Sequence, residues 1–100
     1  MTDGAGKRAG LDGVWRVKRT AGLLPPLLGV TKSIQGGRGE TRVGRFAGVP
    51  FDVVDDELRY VSPFSAFVDR VRPHGDGFSG AATFRGREFG RFELRRIEEP

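Results

Sequence analysis

The sequence predicts an all-β domain, an antiparallel up-and-down meander closing into a small barrel. Three observations predict it. Apolar residues recur at every second position in short stretches, the spacing of a half-buried strand. Clusters of Gly and Asp turn formers separate those stretches at hairpin distance, and seven of the 16 glycines lie there. No window of about 11 residues sustains the spacing of an amphipathic helix.

The strands can be taken in order. Val14 to Arg19 alternates, with Trp15 and Val17 on one face and Arg19 following them by parity. Thr41 to Phe46 is a short strand. Val49, Phe51 and Val53 share a face, and Pro50 places that strand at an edge or a strand start. Leu58 and Tyr60 share a face, as do Phe67, Asp69 and Val71. Phe78, Gly80, Ala82 and Phe84 form another, followed by Phe92 and Leu94. Phe89 and Phe92 are out of phase, so a bulge is expected at Gly90. Turns fall at 35–39, 47–48, 55–56, 74–77 and 85–87. About seven strands joined by hairpins must hide their edges, and closure into a barrel does so.

The segment from Gly22 to Val30 breaks the alternation. Pro25-Pro26 cannot lie in a sheet ladder, yet Leu23, Leu24, Leu27 and Leu28 must find apolar neighbours. It reads as a non-strand cover across one open end, serving as a plug, as a lid over a ligand, or as a patch that docks a partner. Residues 1–10 lack periodicity and read as a disordered tail, leaving 11–97 as one domain.

Composition narrows the chemistry. The 100 residues suit one modest core. There is no Cys, hence no disulfide and no thiolate metal site. No apolar run reaches the roughly 18 residues of a membrane-spanning helix, and Met1 to Gly10 lacks the apolar core of a signal peptide. A cytoplasmic protein is expected. Net charge is +4, but the arginines are scattered singly along strands as on a solvated surface. Nothing supports catalysis. His74 stands in a turn without convergent partners, adjacent Asp55 and Asp56 diverge, and no nucleophile lies in an activating context. No metal and no cofactor is implied.

Gly13-Val14-Trp15 in the first strand and Arg95-Arg96 in the last resemble the lipocalin-like (calycin) barrels. In that superfamily a Gly-x-Trp opens the first strand and a basic residue of the last strand packs across the indole. Parity favours Arg96 over Arg95 for that role, since Arg96 follows Phe92 and Leu94. The resemblance also implies a mouth-covering segment after the first strand and the binding of a small apolar or amphipathic molecule. Leu24, Leu27, Phe51, Tyr60, Phe67 and Phe84 are then the expected walls of the site. Asp69, placed inward by parity, needs a partner, and Arg19 or Arg96 is the expected one, or else a head-group anchor. Two other readings stay open. Arg85, Arg87, Phe89 and Arg91 interleave charge and aromatics as in barrels that bind single-stranded nucleic acid. A filled barrel would serve as a structural or protein-interaction module, either monomeric or as a homodimer.

Overall fold

Alternation resolves into eight strands in a computed structural model that describes residues 10–22, 29–44 and 48–98. They are β1 (Gly13–Gly22), β2 (Val30–Gln35), β3 (Arg38–Val43), β4 (Val49–Val54), β5 (Glu57–Tyr60), β6 (Phe67–His74), β7 (Gly77–Phe84) and β8 (Arg87–Glu98). Each pairs antiparallel with the next, and β8 pairs back onto β1, so the meander is a closed barrel. Eight registered residue pairs, from Val14 opposite Glu98 to Gly22 opposite Gly90, make that closure. Among the described residues every strand therefore has a neighbour on both sides.

The sequence reading lacked one strand. Val30–Gln35 follows the apolar prolines directly, and its alternation of Val30, Lys32 and Ile34 carries a lysine at the centre. The strand expected at 41–46 instead begins at Arg38 and ends at Val43. The tail at 1–9 and the cover at 23–28, with Leu24 and Leu27, lie outside the described residues.

A barrel this narrow holds large rings only where a facing residue yields space. Phe51 on β4 stands opposite Gly39 on β3, and Phe92 on β8 stands opposite Gly80 on β7. A Cβ at Gly80 would run into the Phe92 ring, and one at Gly39 would come within 2.7 Å of the Phe51 ring. Both phenylalanines are thereby buried, at 1% and 2% exposure, and continue a core that includes Val17, Val53, Leu58, Val71 and Leu94.

One end of the barrel is closed by packing. Trp15 is fully buried, meets Phe78 edge-on at 5.3 Å, and donates its indole N–H to the Leu11 carbonyl at 2.8 Å. The Arg96 guanidinium lies over the indole at 4.3 Å and donates to the carbonyls of Asp12 and Gly10. This is the stacking that parity along the last strand selects, with Arg95 turned outward to Glu93.

Near the other end β7 and β8 slip register. Ala82 faces Gly90 and Thr83 faces Glu88, so Phe89 is the extra residue of a bulge. Phe89, Gly90 and Phe92 are all turned at least partly inward as a result. The slip also ends the inward run of β7. Thr83 is buried and donates to the Val68 carbonyl at 2.6 Å, whereas Phe84 is 40% exposed.

Candidate functional site: a cavity with a buried polar base

The last residues of β1, β3, β5 and β7 lie at one end of the meander, and there the described residues surround an unfilled space. A cavity of about 240 Å³ lies inside it. Its aliphatic walls are Val17, Val30, Val49 and Ala82, and its aromatic walls are Phe64, Phe67, Phe89 and Phe92. Phe64 sits in the β5–β6 connection and is 46% exposed, so it reaches from the cavity to the rim. A dry cavity of roughly 150 Å³ accepts benzene, so this one has room for about ten non-hydrogen atoms.

Four polar side chains from four strands meet at the cavity wall: Lys32 (β2), Thr41 (β3), Tyr60 (β5) and Asp69 (β6). The Lys32 ammonium donates to Thr41 Oγ1 at 2.7 Å and to Tyr60 OH at 2.6 Å, and pairs with Asp69 Oδ2 at 3.1 Å. All three of its protons are therefore used. Tyr60 OH donates to the same Oδ2 at 3.1 Å, which leaves Thr41 to donate to Tyr60 across their 2.7 Å contact. The rings of Phe51, Tyr60 and Phe92 stand 5.3, 5.3 and 5.6 Å from the ammonium. Lys32 is 3% exposed and Asp69 7%. Such burial is tolerable because the charges cancel and every proton has an acceptor.

Burial alone would drive the proton off Lys32. The electronegative Tyr60 oxygen and the Asp69 carboxylate, both accepting from the ammonium, outweigh it, and the Lys32 pKa stands above its ordinary value. Burial raises the Tyr60 phenol, because an ionised oxygen would lose its solvation there. At neutral pH the site thus holds an ammonium and a neutral phenol. Both groups bind their proton more firmly folded than unfolded, so the stability they confer is complete below about pH 10 and falls as pH rises through the folded values. Urea midpoints measured from pH 8 to pH 11 are expected to decline above about pH 10. A flat profile would mean that the cluster does not hold these protons.

Tyr60, Phe67 and Asp69, expected from the sequence, all line the cavity. Phe51 lies behind it in the core, against the Tyr60 ring at 5.5 Å. Phe84 does not line it. Beyond the bulge it packs outside, 4.9 Å from Phe67. Arg96 belongs to the closed end, and Arg19 is exposed on β1 opposite Phe92. The partner of Asp69 is Lys32 rather than either arginine. Lys32 and Thr41 were not among the expected site residues, although the Val30, Lys32, Ile34 alternation places Lys32 on the inner face. Of the residues considered for nucleic acid, Phe89 faces the cavity, Arg91 is paired to Glu88 at 2.9 Å and Arg85 lies over Phe84 at 5.3 Å.

No family model matches the chain, and no curated protein or solved structure matches it. Among the described residues no cluster of His, Asp or Glu is arranged to hold a metal, and no helix is long and apolar enough to cross a membrane.

Proposed function

We propose that this protein binds a small, largely apolar molecule inside the barrel, as lipocalin-like (calycin) barrels do, without transforming it. The observation that carries the proposal is the cavity itself: apolar walls around one compact polar cluster, at one end of a barrel whose other end is sealed by Trp15 and Arg96. A domain of this size gains stability by filling its interior, so leaving space beside a buried ion pair is a cost that binding would explain. The Gly13-Val14-Trp15 strand with Arg96 across the indole supports the lipocalin-like assignment.

The protonation states favour binding over chemistry. A lysine serves as nucleophile or base only when neutral, and Lys32 is held charged with its protons engaged. Nucleic-acid binding through the β7–β8 hairpin has less support, because its central aromatic, Phe89, is turned into the barrel and cannot offer a stacking face.

Native mass spectrometry of the gently purified protein tests the reading. A stoichiometric added mass, released by organic solvent, is the expected result. A bare protein mass that stays bare after incubation with small aromatic and aliphatic compounds would overturn it in favour of a structural or protein-interaction role.

A further inference from the structure

The polar cluster is complete on its cationic side and incomplete on its anionic side. Lys32 has no proton left to offer a ligand. Asp69 receives both of its contacts, from Lys32 and Tyr60, on Oδ2. Oδ1 accepts nothing from the described residues. No buried polar side-chain atom among the described residues lacks a partner, so Oδ1 is on the accessible edge of the carboxylate, and Asp69 lines the cavity. A group that is more than nine-tenths buried thus presents a charged acceptor to the ligand space.

We infer that the ligand is a small neutral aromatic molecule with one hydrogen-bond donor, an O–H or ring N–H given to Asp69 Oδ1. The inference rests on the binding function proposed above. A carboxylate ligand would meet an acceptor of like charge and a lysine without a free donor, so anions are excluded. A purely apolar ligand would strip Oδ1 of water and return nothing, the asymmetry by which a site built for a donor rejects analogues lacking it. Lys32 and Asp69 already cancel, so a cation would enter with its own charge uncompensated. Four phenylalanines, Phe64, Phe67, Phe89 and Phe92, offer edges and faces to a flat ring, and the volume suits about ten non-hydrogen atoms.

Calorimetric titration of the full chain with three probes of equal size, indole, indene and benzoate, tests this. Indole, which carries one N–H, is expected to bind about tenfold or more tightly than indene, which has none, and than benzoate. Lys32→Met/Asp69→Leu, which removes the acceptor and its partner together, is expected to erase the preference of indole over indene. Equal binding of indole and indene to the wild type would overturn the donor inference while leaving the binding function standing. Tightest binding of benzoate would overturn it in favour of an anion site, and a preference for indole that persists in the double variant would overturn it by showing that Asp69 is not the acceptor. Binding of none of the three would overturn the inference and count against the binding function.

Discussion

Replacing Lys32 by methionine is expected to destabilise the domain by about 3–5 kcal/mol. The two side chains have similar length, so the loss is chiefly electrostatic. The Asp69 carboxylate, 7% exposed, would keep only the Tyr60 hydroxyl as a donor, and Thr41 would lose the ammonium it accepts from. Removing one partner of a buried pair costs far more than the pair itself contributes, because the survivor is left charged in a poorly polarisable interior. Lys32→Met/Asp69→Leu should therefore recover most of the loss, or exceed the wild type by about 1–4 kcal/mol. Urea unfolding of the wild type, both single variants and the double variant gives the coupling directly. A single-variant loss below about 1 kcal/mol would show that Asp69 is well solvated through the cavity or paired with another cation, and would remove the basis for treating Lys32 and Asp69 as a buried pair.

Trp15→Ala is expected to cost about 3–5 kcal/mol. Trp15 has the largest buried side chain of the closed end, and its loss opens a void bounded by Phe78, Leu11 and the Arg96 guanidinium. Those neighbours belong to β7, to the residues before β1 and to β8, so no single shift of one strand can fill the space. Trp15→Phe keeps an aromatic ring under Arg96 and gives up the hydrogen bond to the Leu11 carbonyl, and should lose clearly less. The order of the two variants, measured by the same urea titrations, checks the assignment. A loss below about 0.5 kcal/mol for Trp15→Ala, the scale of a surface substitution, would sink it.

Much of the site's frame was legible. Parity placed Trp15 inside and turned Tyr60, Phe67 and Asp69 inward, and it chose Arg96 over Arg95 for the stacking that the lipocalin-like resemblance implied. The mismatch of Phe89 and Phe92 announced a bulge at Gly90, and the structure has it one residue earlier, at Phe89. What parity could not carry was the consequence of that bulge for the facing strand. Phe84 was counted with Phe78, Gly80 and Ala82, but the slip at Ala82/Thr83 reverses the face two residues before it. Lys32 was missed because the strand that carries it, Val30–Gln35, was not read as a strand, and only an interior carboxylate makes a lysine tolerable inside.

The sequence by itself determined that this chain is an antiparallel meander of short strands and which residues face inward along most of them. Those follow from local rules, the two-residue period of a strand and the backbone demands of its turns. Only the tertiary structure decided that Lys32, Thr41, Tyr60 and Asp69 meet. They come from four strands, and which inward residues lie at one height is set by the register of every pairing around the barrel and by its closure between β1 and β8. That stagger accumulates over the whole sheet and leaves no mark on any single stretch of sequence, which is why the strand faces could be read in advance and the cluster at the cavity could not.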